Sequence, residues 1–160
     1  MKYKLAESII DKSDIAKLKG WLSHDRQLTK GALTWEFEKK WADWIGTKYA
    51  VFCNSGSSAN LLAAYALNLS GKLKNNTVIV PSVGWVTTIS PFMQLGFDPI
   101  MCGADKDNLG LDLGQLEALL KRHNPGTVVV VQVLGVPMNM ERTPRGKSLP
   151  QPWLLSIKSK

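Results

Sequence analysis

The chain is short of cysteine, of long apolar runs and of the standard phosphate-loop motifs, and each shortage narrows what it can be. Only two cysteines occur, Cys53 and Cys102. Neither stands in a metal-ligand or redox spacing, so no metal site is expected. Both lie in apolar stretches, Val51-Phe52-Cys53 and Ile100-Met101-Cys102, which predicts buried free thiols. No apolar run is long enough to span a bilayer. The basic start, Met1-Lys2-Tyr3-Lys4, has no apolar signal-peptide core behind it. The expectation is a cytoplasmic protein with no membrane partner. Neither the Gly-Lys-Ser/Thr end of a Walker loop nor the Gly-x-Gly-x-x-Gly dinucleotide fingerprint is present, which counts against an ordinary nucleotide-binding α/β domain.

What is present suits a soluble globular chain. The 160 residues suffice for one domain with a hydrophobic core, and 44% apolar with 21% charged residues is ordinary. The formal charge is +7. Residues 141–160 carry Arg142, Arg145, Lys147, Lys158 and Lys160 against Glu141, so more than half of the excess sits in this terminal segment. Basic side chains do not interleave with aromatics along any element, so no nucleic-acid partner is expected.

The apolar pattern begins helical and then alternates. Ile15, Leu18 and Leu22 predict a short amphipathic helix over Asp14–Ser23. A second helix is expected from an N-cap at Thr34, with Glu36 and Glu38 in its first turn and Gly46 at its end. Phe37, Trp41, Trp44 and Ile45 share one face of it and are read as packing residues rather than ligand contacts. From Tyr49 onward strands alternate with helices. Strands are expected at Tyr49–Cys53, Thr77–Val80, Pro99–Cys102 and Thr127–Leu134. Helices are expected from the Asn54–Ser58 turn to Leu69, from Thr87 to Leu95 with Pro91 near its first turn, and after Asp112 with Gln115 as a capping-box pair. Repeated strand–helix–strand units imply an α/β fold with right-handed crossovers. Beyond Met140, three prolines within nine residues leave no helical or strand period. The expected organisation is an N-terminal helix and loop over 1–33, an α/β domain over 34–140, and an irregular basic tail over 141–160.

One turn has clear chemical potential. Asn54-Ser55-Gly56-Ser57-Ser58-Ala59-Asn60 lies between an expected strand and a helix. Small residues allow close backbone approach, and a helix start directs unpaired N–H groups and its positive dipole end at an anion. Ser57 and Ser58 add hydroxyl donors. Two readings stand on these residues alone: a cradle for a monophosphate, or a serine-rich N-cap with no ligand.

Several blocks then agree in order and spacing with one family. They are Thr29-Lys30-Gly31, Glu36-Phe37-Glu38, Trp44-Ile45-Gly46-Thr47-Lys48-Tyr49-Ala50, Asn54-Ser55-Gly56-Ser57-Ser58-Ala59-Asn60-Leu61, Pro81-Ser82-Val83-Gly84-Trp85-Val86-Thr87-Thr88, Gly96-Phe97-Asp98-Pro99-Ile100 and Val133-Leu134-Gly135-Val136-Pro137. Over roughly residues 26–141 the chain resembles the DegT-type nucleotide-sugar aminotransferases, which are fold-type-I pyridoxal-phosphate enzymes. The resemblance implies a three-layer α/β/α architecture, an incomplete large domain of a fold-type-I transferase, with 34–140 as the partial cofactor-binding domain.

Carried onto this sequence, the resemblance implies that Gly56, Ser57 and Ser58 bind the phosphate of pyridoxal 5'-phosphate. It implies that Trp85 stacks on the pyridine ring, the alternative for Trp85 being a buried core residue. It places Thr29, Lys30 and Gly31 near the sugar nucleotide. Gln132 stands where family members often have a histidine. The implied parent activity is transfer of an amino group to a 4-keto (or 3-keto) nucleotide sugar in cell-surface polysaccharide or deoxysugar biosynthesis. Nucleotide sugar and amino donor are the implied partners, and a homodimer the implied assembly. Two alternatives stay open: the dehydratase branch, acting on 4-keto-6-deoxy hexoses, and a non-catalytic cofactor-domain fragment.

The Schiff-base lysine (or the histidine that replaces it in the dehydratase branch) and the acidic partner of the ring nitrogen are implied to lie beyond Met140. Ser156-Ile157-Lys158-Ser159-Lys160 has the wrong spacing and position to supply that lysine. No catalytic residue is therefore assigned, and the chain by itself is expected to be inactive. Thr127–Leu134 is expected to leave an apolar face uncovered, favouring association.

Overall fold

A computed structural model describes residues 9–139 and the backbone of Trp153–Lys158. The chain divides into two units, Met1–Phe52 and Cys53–Lys160. This boundary lies nearer the expected start of the α/β pattern at Tyr49 than the expected division after residue 33.

In the first unit, α1 spans Lys12–Leu22. It starts two residues before the expected Asp14, because Asp14 is the third helical residue of a capping box. The Asp11 carboxylate accepts the Asp14 N–H at 2.9 Å, and the Asp14 carboxylate accepts the Asp11 N–H at 3.2 Å. Helix α2 spans Ala32–Ile45 with Gly31 as N-cap, so Thr34 lies inside the helix and not at its cap. Glu36 and Glu38 consequently fall beyond the first turn and pair elsewhere. Glu36 accepts from Lys40 at 2.6 Å, and Glu38 from Lys30 at 2.8 Å. Gly46, at φ 79°, closes the helix by giving its N–H to the Ala42 and Asp43 carbonyls.

Phe37 stacks on Trp41 at 5.9 Å between ring centroids, and Trp41 lies 5.2 Å from Trp44. The aromatic rings touch one another, but Phe37, Trp41, Trp44 and Ile45 all stay exposed and Ala42 is the only buried residue of α2, so the expected packing face is not buried within the described residues.

The expected strand at Tyr49–Cys53 does not form. Tyr49, Val51 and Phe52 are exposed, and the Phe52 N–H goes to Glu38 Oε1 at 2.9 Å rather than into a ladder. An apolar run becomes a strand only where another strand takes its N–H and C=O groups.

In the second unit, α3 spans Gly56–Leu69, β1 Thr77–Pro81, α4 Ser90–Gln94, β2 Asp98–Cys102, α5 Leu113–His123, β3 Thr127–Gln132 and β4 Trp153–Lys158. The sheet is fully parallel in the order β2-β1-β3-β4. Ile79 sits opposite Ile100 on one side and Val128 on the other. Side chains alternate across the strands. Ile79, Val128 and Val130 face Leu116 and Leu120 of α5. Val78, Val80 and Val129 face Ala64 of α3 and Phe92 of α4. The unit is thus a three-layer α/β/α arrangement. Each fully buried leucine, such as Leu116 or Leu120, contributes about 1.5–3 kcal/mol.

Four expectations need correction here. Both faces of β3 are covered within the unit, because α5 lies on one and α3 with α4 on the other, so the uncovered face is absent. Strand β3 ends at Gln132, since Leu134 at φ 54° and Gly135 at φ 75° turn the backbone out of the extended region. The segment 141–160 is not wholly irregular: Trp153–Lys158 pairs with β3 from Thr127↔Trp153 to Gln132↔Lys158. A strand needs only a neighbouring edge, and β3 supplies it here despite the prolines that precede Trp153. The single helix expected over Thr87–Leu95 is two pieces, a 3-10 turn at Val86–Thr88 and then α4. Pro91 sits in the first turn of α4, where its missing N–H is tolerated.

The capping pair at α5 is half formed. Asp112 accepts the Gln115 N–H at 2.8 Å, while the Gln115 side chain accepts the Gly103 N–H instead of returning to Asp112. Asn124, at φ 44°, ends α5 in the left-handed region. Asn75 fastens that end to β1, donating to the Asn124 carbonyl at 2.9 Å and accepting from Thr77 N–H at 3.0 Å. Of the two thiols, Cys102 is buried as expected, whereas Cys53 is only half-buried because its expected strand is missing.

Candidate functional site

The start of α3 is capped by Ser55, whose Oγ accepts the Ser58 N–H at 3.1 Å. The Ser55 hydroxyl donates to Ser58 Oγ at 3.1 Å, which leaves the Ser58 proton available to another acceptor. The Ala59 N–H closes the first helical bond to Ser55 O at 3.0 Å. No hydrogen bond within the described residues takes the N–H groups of Gly56 and Ser57, which are the orphan donors of a helix start. Gly56 and Ser57 are exposed, and a Cβ placed on Gly56 would meet no atom within 4 Å. The residues therefore fit an anion: two main-chain donors, two hydroxyls and the positive end of the α3 dipole open to the same free space.

Trp85 follows β1 by way of the Ser82–Gly84 loop. The Ser82 N–H bonds the Cys102 carbonyl at 2.8 Å, which holds the loop to the end of β2. Trp85 caps the 3-10 turn: its carbonyl accepts the Thr88 N–H at 2.9 Å, and Thr88 is buried. The indole is 74% exposed, so Trp85 is not a core residue. The Asn60 amide, one turn into α3, donates to the Thr87 carbonyl at 3.1 Å. That bond ties the Trp85 turn to the helix that begins at Gly56.

Asn60 was visible in the sequence only as part of a motif. Its one signal was an amide inside the apolar stretch Ala59–Ala64, where Asn is a poor helix former.

Thr29, Lys30 and Gly31 belong to the first unit. Thr29 Oγ1 accepts from Gln27 Nε2 at 2.9 Å, and the Lys30 carbonyl accepts from the same amide at 3.2 Å. Gly31 caps α2 with no side-chain bond. Trp21, Arg26, Gln27, Thr29, Gly31 and Thr34 are among the residues lining a cavity of about 430 Å³. The Lys30 ammonium is held by Glu38, whose side chain is only 13% exposed. The Lys30 hydrogen bond, then the Phe52 N–H, hold the Glu38 carboxyl below its ordinary range. Glu38, expected as a first-turn acid, instead fixes the lysine of the expected substrate loop. No group of His, Cys, Asp or Glu able to hold a metal occurs among the described residues. No helix among the described residues is long and apolar enough to cross a membrane.

Comparison with known proteins identifies the family. The model of the DegT/DnrJ/EryC1/StrS aminotransferase family matches residues 8–145. GDP-4-keto-6-deoxy-D-mannose 3-dehydratase of Yersinia pseudotuberculosis is 32% identical over 142 residues, covering 87% of this chain and 36% of the relative. A crystal structure of GDP-4-keto-6-deoxymannose-3-dehydratase with bound GDP-perosamine superposes with a TM-score of 0.85 at 30% identity, covering 97% of this chain and 40% of the other. The E. coli GDP-4-keto-6-deoxy-D-mannose-3-dehydratase with bound hydrated PLP gives 0.79 at 31% identity, covering 88% and 36%. The chain thus spans well under half the length of these relatives. The three-layer unit is a partial α/β domain of the fold-type-I class to which these neighbours belong. A match over most of the chain, in sequence and in fold, makes the chain a member of the DegT/DnrJ/EryC1/StrS aminotransferase family.

Proposed function

We propose that this chain forms the phosphate- and ring-binding part of a pyridoxal-phosphate enzyme acting on a 4-keto nucleotide sugar. The observation that carries the reading is the open start of α3, with Gly56 and Ser57 donors free and the exposed Trp85 indole fastened to the same helix through Asn60. Gly56 and Ser57 N–H groups and the Ser57 and Ser58 hydroxyls bind the cofactor phosphate. Trp85 covers one face of the pyridine ring, where offset stacking adds about 0.5–1.5 kcal/mol beyond burial. Bound there, the cofactor supplies an electron sink for the substrate carbon. Thr29, Lys30 and Gly31 orient the sugar nucleotide, with Lys30 held in place by Glu38.

In the parent enzyme the reaction is amino-group transfer from an amino donor to the 4-keto (or 3-keto) sugar, in cell-surface polysaccharide or deoxysugar biosynthesis, by a cytoplasmic homodimer. One observation favours a second reading, removal of the 3-hydroxyl from a 4-keto-6-deoxy hexose: the relatives at 30–32% identity described above are 3-dehydratases. A keto nucleotide sugar is the substrate class common to both.

The test is titration of the purified chain with pyridoxal phosphate, followed by fluorescence. Replacing Ser57 and Ser58 together by alanine is expected to weaken binding by at least tenfold, since hydrogen bonds to a charged group contribute about 1.5–3 kcal/mol each. Equal affinity in the double variant sinks the phosphate assignment.

A further inference from the structure

Asn60 lies four residues after Gly56, and so on the same face of α3 as the open donors. An amide there lowers helix propensity and needs an acceptor when partly buried. It finds one only because of a residue on another element. In a continuous helix the Thr87 carbonyl would take the N–H of the residue four positions on. That residue is Pro91, which has no N–H, so the carbonyl is left to Asn60 at 3.1 Å. No ring–ring contact involving Trp85 occurs among the described residues, and its indole is largely exposed, so the backbone that carries it matters for where it stands. That backbone is fixed at two points, the Thr88 N–H on the Trp85 carbonyl and the Asn60 amide on Thr87.

We propose that Asn60 is a positioning residue. Through the Thr87 carbonyl it sets the Trp85 indole relative to the anion-binding start of α3, so that one frame holds both the phosphate and the ring of a single ligand. The inference rests on the reading of Gly56, Ser57, Ser58 and Trp85 given above, and deepens it: affinity for the phosphate belongs to the helix start alone, whereas stacking requires the Asn60–Thr87 bond.

The experiment uses the full chain and its Asn60→Leu variant, which keeps the side-chain shape and loses the donor. Each is compared with its own Trp85→Phe counterpart. Pyridoxal phosphate is titrated against tryptophan fluorescence, and inorganic phosphate is then used as competitor. The Trp85-dependent part of the quench is the difference between each protein and its counterpart. Asn60→Leu is expected to remove most of that difference while changing the inorganic-phosphate affinity less than about threefold, because the phosphate donors are untouched. A full Trp85-dependent quench in Asn60→Leu overturns the proposal and leaves the site reading intact. Equal loss of phosphate affinity and of quench also overturns it, since the amide would then merely hold α3 together. No Trp85-dependent quench in the unaltered chain overturns both. If far-UV circular dichroism finds Asn60→Leu unfolded, Asn60→Ser, whose hydroxyl is too short to reach Thr87, carries the same measurement.

Discussion

The Asn60 side-chain amide and the Thr87 main-chain carbonyl are joined at 3.1 Å, and Pro91, four residues on, has no N–H to offer that carbonyl. The two residues are separated by the rest of α3, β1 and two loops, so the bond is a tertiary one that fastens a turn to a helix.

A double-mutant cycle follows from this arrangement. Asn60→Ala leaves a partly buried carbonyl unpaired and is expected to cost about 1–2 kcal/mol in urea denaturation. In a Pro91→Ala background, residue 91 gains an N–H four positions after Thr87; if the two helical pieces join there, that N–H takes the carbonyl and the same substitution is expected to cost less than half as much. Equal costs in the two backgrounds would mean that Asn60 contributes by packing and not through its donor.

The carboxyl of Glu38 carries a pH signature. The Lys30 hydrogen bond, then the Phe52 N–H, lower it from the ordinary 4.5, so the folded chain binds fewer protons than the unfolded chain below that value. The contribution is therefore fully present above about pH 4.5 and disappears as pH falls through the lowered value. Stability followed by tryptophan fluorescence is expected to drop across that acid window, and to drop less in Glu38→Gln. Glu36→Gln is expected to have a smaller effect, because both Glu36 and Lys40 are well exposed and screened. Identical acid profiles for the chain and Glu38→Gln would remove Glu38 from this role.

The two thiols are expected to separate cleanly. Burial, with the Asp112 carboxylate adding to it, pushes the Cys102 thiol up to about 11. At pH 8 roughly one Cys102 in a thousand is thiolate, each pH unit below the pKa being a tenfold loss. Cys53 is half-buried. A disulfide reagent is therefore expected to label Cys53 in the native chain and Cys102 only after urea is added. Rapid native labelling of the Cys53→Ser variant would contradict the burial of Cys102.

Two glycines are expected to respond with opposite sign. A Cβ on Gly126 would run into the main-chain oxygen of Asn75, and Gly126 also donates its N–H to Thr77 at 3.0 Å. Gly126→Ala is expected to destabilise by about 1–3 kcal/mol, as overpacking against backbone does. Gly20, inside α1, has nothing within 4 Å of a built Cβ. Gly20→Ala is expected to stabilise by about 0.5–1 kcal/mol in urea denaturation. A destabilising Gly20→Ala would show that a side chain at position 20 meets a neighbour in α1's surroundings.

Much of the second unit was legible in the sequence, for identifiable reasons. The β-branched run at Thr127 and the leucine spacing after Asp112 each obey a local period, and the core that forms from them is the one those periods require. Tyr49–Cys53 has an equally apolar sequence, but the strand it suggests depends on a neighbour that no local pattern reveals. Trp153–Lys158 is the converse case, a strand formed because β3 offers it an edge. The phosphate turn could be read because its chemistry is contiguous. Asn60 escaped because its acceptor lies far along the chain, beyond β1, and because Pro91, as a residue tolerated near a helix start, gives no sign that the Thr87 carbonyl is open.

The sheet order carries a consequence for how the chain acquires its structure. Val78 of β1 pairs with Pro99 of β2 on one side and with Thr127 of β3 on the other. A growing polypeptide can close the first ladder once β2 has emerged, but the second must wait until α5 has been made and β3 follows it. Until then one side of β1 has no partner, and the loop-closure entropy of the intervening chain opposes pairing. Folding of this unit is thus timed by its last strands to emerge, and slow synthesis between β2 and β3 would lengthen the interval in which Val78, Ile79 and Val80 remain open to wrong partners.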